Sequence, residues 1–186
     1  MAEKREAWKA QMSQLEADKL VFLDESGSNI HLTRRYGRAK HKERVVEEAP
    51  FSKPKNTTIL SSIRLDGTRA YTTYSGGTTG EKFLTYLRET LLPTLHSGDI
   101  VIMDNLRTHH IEEVGKVVQE AGMQVLYLPP YSPDFNPIEM MWSKVKAHLR
   151  KIKKRTVETL LEGIKEAMEL VTPQDCVGWF SKAGYS

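Results

Sequence analysis

Two short apolar runs, each ending in an aspartate, constrain the fold of this 186-residue chain. Leu20-Val21-Phe22-Leu23 ends at Asp24, and Ile100-Val101-Ile102-Met103 ends at Asp104. Apolar runs of this length indicate strands of a sheet. If the two strands are neighbours, their carboxylates lie close together. The sequence therefore predicts a sheet that carries a pair of acidic side chains at the ends of neighbouring strands.

A third acidic residue, Glu139, lies in Asn136-Pro137-Ile138-Glu139, where a loop turns into a helix. A single acidic residue is usually a solvated surface charge. Two strand-end carboxylates and a third on a helix packed against them can instead converge on a pair of divalent cations. Such a pair needs hard oxygen ligands and drives phosphodiester chemistry. The combination indicates a metal-dependent nuclease core.

The composition is that of a single globular domain. With 39% hydrophobic residues, the chain can bury one substantial core. A net charge of +3 permits a nucleic-acid partner without requiring one. The single cysteine, Cys176, excludes an internal disulfide, the charged N-terminus does not resemble a signal peptide, and no run reaches membrane-spanning length. We therefore expect a cytoplasmic protein.

Hydrophobic spacing predicts the order of the elements. Trp8, Met12 and Leu15 indicate an amphipathic helix from about residue 3 to 18, so that residues 1–18 form an N-terminal linker helix and residues 19–186 the domain. Apolar runs and turn signals then predict the remaining elements. These are antiparallel strands at 19–24, 29–33, 56–65 and 68–74, a helix ending at Pro93, a strand ending at Asp104, a helix over 111–120 and a strand over 124–128.

The segment 129–137 carries four prolines and is predicted to be a stiff loop, because each proline removes a backbone donor and fixes its own φ. Pro137 suits the first turn of the next helix, whose apolar face includes Trp142. A last helix is predicted to start near Thr156 and to end before Thr172-Pro173. This order favours an α/β fold with a mixed sheet and helices on its faces.

Four short motifs follow one another along the chain. They are Leu23-Asp24-Glu25-Ser26, Met103-Asp104-Asn105 followed by His109-His110, Leu128-Pro129-Pro130-Tyr131-Ser132-Pro133, and Asn136-Pro137-Ile138-Glu139 with Trp142 behind it. Together they resemble the catalytic domain of the mariner-like transposases, in particular their bacterial insertion-sequence branch. Asp104 and Glu139 are separated by 34 residues, the spacing associated with that branch. The resemblance extends from about residue 19 to Trp179-Phe180 and Ala183-Gly184-Tyr185.

The resemblance implies a ribonuclease-H-like α/β fold, with helices on both faces of a mixed sheet. It also implies an Asp-Asp-Glu triad of Asp24, Asp104 and Glu139 that holds Mg²⁺, for which Mn²⁺ substitutes. The implied activity is cleavage of double-stranded DNA at transposon ends and strand transfer into target DNA, with TA dinucleotide targets and a homodimeric assembly. Family members usually carry a helix-turn-helix region ahead of the catalytic domain, whereas one candidate helix precedes Asp24 here. A separate or fused recognition half and a truncated remnant are both consistent with this.

Several polar residues are candidates for supporting roles. Asn105 and Asn136 can orient a carboxylate through a hydrogen bond, although Asn136 is equally suited to cap the helix that Pro137 opens. His109 and His110 contact the phosphate backbone or position water, or they form only a polar start to the next helix.

Other acidic and metal-binding candidates rank below the triad. Glu25 points to the opposite face of its strand from Asp24, and turn chemistry explains Asp134. A zinc site is conceivable, but its spacing matches no common zinc pattern. It would be built from His96, His109, His110 and Cys176.

Two basic stretches, 34–44 and 144–155, are candidates for binding DNA. A basic run is often only a solvated face. Close to a metal-binding triad, however, lysine and arginine neutralise phosphates without reading the base sequence. The predicted contacts are Arg34, Arg35, Arg38, Lys40, Lys42, Lys144, Lys151, Lys153, Lys154 and Arg155.

Two alternative functions remain open on the sequence. One is a ribonuclease-H-like endonuclease that performs no strand transfer. The other is an inactive or repurposed transposase remnant that binds DNA without catalysis.

Overall fold

The computed structural model describes residues 2–33, 36–40, 44–46, 51, 55–104 and 112–185. Within these ranges the chain forms one five-stranded sheet and six α-helices. The strands are β1 Leu20–Ser28, β2 Thr57–Ile63, β3 Arg69–Ser75, β4 Ile100–Met103 and β5 Gln124–Tyr127. The helices are α1 Ala2–Met12, α2 Gly80–Tyr86, α3 Glu112–Glu120, α4 Ile138–Ile152, α5 Val157–Glu169 and α6 Pro173–Lys182.

The sheet is mixed, as predicted, with strand order β3-β2-β1-β4-β5. β1 pairs with β2, and β2 with β3, in antiparallel fashion. β1 pairs with β4, and β4 with β5, in parallel. Leu23 lies opposite Met103 in this register, so Asp24 and Asp104 follow opposed residues on neighbouring strands.

Helices cover both faces of the sheet. Phe22 and Ile102 point into a core shared with α1, α4, α5 and α6, whereas Val21 and Val101 point into a second core with α2 and α3. Successive strand residues face opposite sides, so a strand that is covered on both sides is apolar at every position. Coverage on both faces of the sheet therefore explains the continuous apolar runs of β1 and β4.

The N-terminal helix α1 is amphipathic, as predicted, but it ends at Met12 rather than near residue 18. Trp8 and Met12 are buried in the same core as α4, α5 and α6. The division of the chain at residue 18 stays a prediction. In the part of the chain that the structure describes, no helix is long and apolar enough to cross a membrane.

Two element predictions were wrong. The strand expected at 29–33 is absent, because β1 continues to Ser28 and the chain then turns, with Asn29 Oδ1 accepting a hydrogen bond from the His31 N–H at 3.0 Å. Thr172-Pro173 begins a helix instead of only ending one. Thr172 caps α6, Pro173 occupies its first turn, and Asp175 completes a reciprocal capping box.

The helix expected to stop at Pro93 also differs from the prediction. After α2, the chain continues through a wider turn over Leu87–Leu91 and a tighter one over Leu92–Thr94 that includes the proline. A proline in the first turn of such a segment loses no hydrogen bond, because the first N–H groups of a helix have no intrahelical partner.

Candidate active site

The three predicted acidic residues line one open cleft of about 460 Å³. Asp24 comes from β1, Asp104 follows the last residue of β4, and Glu139 lies in the first turn of α4. Asp24 does not end its strand, because β1 continues beyond it in pairing with β2. The Asp24 carboxylate therefore lies beside the point where β4 ends. The rest of the lining is Leu128, Pro129, Pro130, Tyr131, Ser132, Pro133 and Asn136.

Asp24 is buried, with 8% of its surface exposed, and two hydrogen bonds hold its carboxylate. The Glu25 N–H donates to Oδ1 at 2.7 Å, and the Trp142 indole N–H donates to Oδ2 at 3.1 Å. Burial raises the pKa of Asp24 to about 7, and the negative charges of Glu139 and Asp104 add to the rise, while the two hydrogen bonds oppose it. This carboxyl group therefore keeps its proton to a higher pH than an ordinary aspartate does.

Glu139 and Asp104 are more accessible than Asp24. Glu139 is exposed, and Asp104 is half-buried. The Glu139 backbone N–H donates to the Asn136 carbonyl at 3.2 Å, which closes the first turn of α4. A carboxylate in the first turn of a helix interacts favourably with the helix dipole. The Glu139 side chain thus lines the cleft while remaining accessible to solvent.

The chemistry of these residues fits a hard divalent cation. Carboxylate oxygens are the ligands that Mg²⁺ and Mn²⁺ prefer. The charges of Asp104 and Glu139 both act on Asp24, so the three groups share one electrostatic environment. In the arrangement seen here, no three His, Cys, Asp or Glu side chains among the described residues stand close enough to hold a metal ion. The donor set is therefore suitable, but the described side chains do not form a preorganised site.

Asn136 also lines the cleft and is buried, with 5% exposure. The alternative in which its side chain caps α4 was wrong, because Pro137 is the capping residue and α4 has no side-chain cap. The Asn136 Oδ1 atom has no hydrogen-bond partner among the residues that the structure describes. A buried polar atom of this kind usually binds water or a ligand.

Comparison with protein families gives a match over residues 19–161 to the family described as DDE superfamily endonuclease. The chain belongs to this family. A comparison with curated proteins gives no match. The expectation of a DDE-type catalytic domain, made from the sequence, is therefore confirmed.

Solved structures of the Mos1 transposase have the same fold as this DDE endonuclease chain. A pre-cleavage Mos1 transpososome gives a TM-score of 0.78 at 14% identity, covering 97% of this chain and 57% of that chain. A Mos1 mariner paired-end complex with Mn gives a TM-score of 0.77 at 16% identity, and the match covers 97% of this chain and 57% of that chain. The Mos1 catalytic domain gives a TM-score of 0.69 at 16% identity, and the match covers 97% of this chain and 85% of that chain. The ribonuclease-H-like fold is confirmed, and the chain spans somewhat over half the length of the chains in the two Mos1 complexes.

Three of the supporting residues predicted for the DDE endonuclease site, Asn105, His109 and His110, lie outside the described residues. The same gap contains two members of the conceivable zinc site. Of the other two, His96 lies 3.8 Å from Asp99, and Cys176 is buried in the core, where burial raises the pKa of its thiol to about 11. These environments give no support to a zinc site.

The lower-ranked acidic residues have other partners. Glu25 accepts a hydrogen bond from the Thr78 hydroxyl. Asp134 forms a two-pronged ion pair with Arg5, at 2.6 and 2.9 Å, which lowers the pKa of Asp134. Both carboxylates are therefore accounted for outside the triad.

The predicted DNA contacts fall into three groups. Arg34, Arg35 and Lys42 lie outside the described residues. Arg38, Lys40, Lys151 and Lys153 are exposed, and Lys154 is half-buried. As DNA contacts, all of them stay predictions.

Two of the predicted contacts have structural partners. Lys144 on α4 binds Asp175, the residue that completes the capping box of α6. The guanidinium of Arg155 donates to the carbonyl oxygens of Ile30 and Leu32, at 2.9 and 3.0 Å. The first bond joins α4 to α6, and the other two join the segment between α4 and α5 to the segment after β1, so substitution of Lys144 or Arg155 would affect stability as well as any contact with DNA.

The sequence did not indicate the residues that hold the loop over 129–137 in place, which is called the cleft loop below. Besides Asp134, Arg5 on α1 binds the Ser132 hydroxyl at 2.9 Å and lies 4.3 Å above the centre of the Phe135 ring. The Trp8 indole N–H donates to the Tyr185 hydroxyl at 3.1 Å, and that hydroxyl donates to the Phe135 carbonyl at 2.6 Å. These contacts join residues from both ends of the chain, and no local sequence pattern indicates them.

Proposed function

We propose that this chain is the catalytic domain of a DNA transposase, which cuts DNA at transposon ends and joins the freed ends to target DNA. One observation supports the proposal most directly. Asp24, Asp104 and Glu139 line a single open cleft in a chain that belongs to the DDE superfamily endonucleases. An open cleft of about 460 Å³ has room for a phosphodiester group together with its attacking and leaving oxygens.

The same three side chains would hold Mg²⁺, with Mn²⁺ as a substitute. Solved structures of the Mos1 catalytic domain contain Mg and Mn, which supports the assignment by likeness. When bound, such cations activate the attacking oxygen and stabilise the charge that develops on the leaving oxygen.

The residues of the chain contribute orientation and electrostatics. Two hydrogen bonds fix the orientation of the Asp24 carboxylate, so this side chain would need little reorganisation to serve as a ligand. Exposed Glu139 can adjust its side chain to the substrate. The buried Oδ1 of Asn136 can accept a hydrogen bond from a water or hydroxyl in the cleft and so hold it in place.

The partners are proposed from likeness to Mos1, whose solved complexes are described as a transpososome and as paired-end complexes with a transposon end. We expect this chain to bind double-stranded DNA, to act as a homodimer and to insert at TA dinucleotides. A helix-turn-helix half, fused or separate, would supply recognition of the transposon ends. Such an activity on DNA would take place in the cytoplasm.

The direct test is nicking of a supercoiled plasmid by the purified chain in Mg²⁺ or Mn²⁺. Asp24→Asn, Asp104→Asn and Glu139→Gln should each abolish nicking while leaving the protein folded. Glu158→Gln is the matched control for Glu139→Gln, because Glu158 also lies in the first turn of a helix but does not line the cleft. Full activity in Glu139→Gln would remove Glu139 from the site.

A second assay separates a transposase from a simple endonuclease. A labelled DNA duplex with a free 3′-hydroxyl is incubated with the plasmid and the protein, and joined products are counted. Nicking together with joining supports the transposase. Nicking without joining would indicate an endonuclease, and DNA binding without nicking would indicate a remnant that has lost catalysis.

A further inference from the structure

Tyr131 has a backbone conformation that its side chain disfavours. Its φ is +55°, in the left-handed region that glycine and asparagine tolerate and that is rare for bulky residues. Among the described residues, Lys153 is the other non-glycine residue with positive φ, and it ends helix α4. A left-handed residue is the ordinary way to end a helix, whereas Tyr131 follows no helix. Tyr131 instead lies in a turn with Pro130, where glycine or asparagine is the usual residue at a positive φ.

The residues on either side of Tyr131 hold the backbone in this conformation. Ser132 is buried, with 4% exposure, and its hydroxyl donates to the Pro130 carbonyl at 3.3 Å. The same hydroxyl accepts a hydrogen bond from Arg5 at 2.9 Å. Pro130 and Pro133 have fixed φ values. The loop is thus anchored on both sides of Tyr131.

The anchored backbone directs the Tyr131 ring into solvent at the cleft that contains the three carboxylates. The side chain lines this cleft, yet the residue is 86% exposed. An exposed ring gains little from packing within the protein, so packing does not offset the cost of the left-handed φ. Strained residues of this kind are concentrated at ligand-binding sites, where the ligand makes the missing contact.

We infer that Tyr131 stacks on an unpaired base of the DNA, next to the phosphate that lies at Asp24, Asp104 and Glu139. This inference rests on the proposed function and adds a substrate-contacting residue to it. Every base offers a π-face, so an exposed aromatic ring beside a phosphate site can hold a nucleotide whatever its sequence. The neighbouring prolines have no N–H to donate, which leaves the ring as the group at this edge of the cleft best suited to hold a base.

Four variants test the inference. Tyr131→Phe and Tyr131→Trp keep an aromatic ring, whereas Tyr131→Asn removes the ring and keeps a residue that tolerates positive φ. Phe51→Asn is the matched control, because Phe51 is an exposed aromatic residue that does not line the cleft. The first readout is binding of a short duplex with a single-stranded overhang that carries 2-aminopurine, in Ca²⁺ so that little cleavage occurs.

We expect the wild-type protein and the Phe and Trp variants to quench the 2-aminopurine fluorescence, and Tyr131→Asn to lose most of the quenching. Plasmid nicking in Mn²⁺ should fall about 5- to 100-fold in Tyr131→Asn, since loss of one base–aromatic stack has an effect of this size. The melting temperature of Tyr131→Asn should stay the same or rise, which excludes misfolding as the cause. Phe51→Asn should behave as the wild type.

Three results would overturn the inference. One is unchanged quenching in Tyr131→Asn. Another is a loss in Tyr131→Phe equal to that in Tyr131→Asn, which would assign the effect to the hydroxyl group. The third is wild-type nicking by Tyr131→Asn while Glu139→Gln is inactive, in which case the proposed function stands without the stacking role. If Glu139→Gln nicks as fast as the wild type, the proposed function fails, and the quenching assay alone decides whether Tyr131 holds a base.

Discussion

The indole nitrogen of Trp142 donates a hydrogen bond to Asp24 Oδ2 at 3.1 Å, which joins helix α4 to strand β1 inside the core. Trp142 lies one turn after Glu139 on the same helix. The bond therefore links the elements that carry two of the three acidic residues. Trp142 was expected to be a core residue, and it is buried, but its polar atom also orients the buried carboxylate.

We predict that Trp142→Phe weakens the site more than the fold. The ring volume is largely kept, but Asp24 loses a donor, which should lower the free energy of unfolding by roughly 1–3 kcal/mol at pH 8, where the carboxylate is ionised. The rise in melting temperature caused by Mg²⁺ should shrink, because Asp24 is less well oriented. Thermal melts in EDTA and in Mg²⁺ measure both effects. Trp179→Phe, outside the cleft, is the control, and an equal metal effect in both variants would contradict a role for Trp142.

The raised pKa of Asp24 predicts a pH dependence of stability in the metal-free protein. The pKa is about 7 in the folded protein and near 3.8 in the unfolded chain, so the folded state holds this proton more tightly. Its contribution to stability is present below about pH 4 and is lost as the pH rises to 7, by up to about 4 kcal/mol. Asp24→Asn cannot titrate at this position. The stability of the wild type relative to Asp24→Asn should therefore fall between pH 4 and pH 8.

Chemical unfolding of both proteins in EDTA across this pH range checks the prediction. Other carboxylates, such as Asp99 with its lowered pKa, titrate in both proteins, so their effects cancel in the difference. Two stability curves that run parallel from pH 4 to pH 8 would show that Asp24 has an ordinary pKa.

Metal binding should raise the melting temperature of the wild-type protein, because a ligand that binds only the folded state stabilises it by mass action. Asp104→Asn removes a charge that repels Asp24, so its melting temperature in EDTA should be higher than that of the wild type. Its increase in Mg²⁺ should be smaller. Asp66→Asn, in the turn between β2 and β3, serves as the control. An equal Mg²⁺ effect in Asp104→Asn and the wild type would mean that Asp104 is not a ligand.

The bonds between Trp8, Tyr185 and Phe135 predict coupling between the two ends of the chain and the cleft loop. Tyr185→Phe leaves the buried Trp8 indole N–H and the Phe135 carbonyl without these bonds, which should cost roughly 1–3 kcal/mol. Trp8→Phe should add little more in the double variant, because both substitutions break the same chain of bonds. Denaturant unfolding of the two single variants and the double variant measures the coupling. Additive losses would show that the bonds act independently.

Weak binding of DNA that does not depend on sequence is expected from the lysines at the end of α4 and directly after it. Replacing Lys151, Lys153 and Lys154 by Gln should weaken binding to all duplexes alike. The slope of the logarithm of the binding constant against the logarithm of the salt concentration should fall by about one for each lysine that contacts a phosphate. Lys116→Gln, on the opposite face of the sheet, is the control. Fluorescence anisotropy at several salt concentrations measures both quantities. A strong preference for one duplex would indicate base-specific contacts.

Local pattern predicted most of the fold because the physics behind it is local. A run such as Ile100–Met103 must be covered on both sides, and a proline such as Pro137 suits a helix start wherever it occurs. The wrong predictions arose where two local signals competed. Thr172-Pro173 ends one helix and begins the next, and the capping box with Asp175 would have indicated the second helix. After Asn29 the alternation of polar and apolar residues predicted a strand, but the Asn29 side chain accepts a hydrogen bond from the backbone and so forms a turn.

The sequence by itself determined most of the strand-and-helix order and the mixed sheet, and it identified Asp24, Asp104 and Glu139 as the candidate site residues, because spacing and residue type carry that information. Tertiary structure alone decided the properties of these residues. The raised pKa of Asp24 depends on burial in the folded core and on charges brought close by folding. The position of the cleft loop depends on a hydrogen bond between Tyr185 and Phe135, 50 residues apart in sequence. Such contacts bring together distant segments, and no local pattern encodes them because they form only when the whole core has packed.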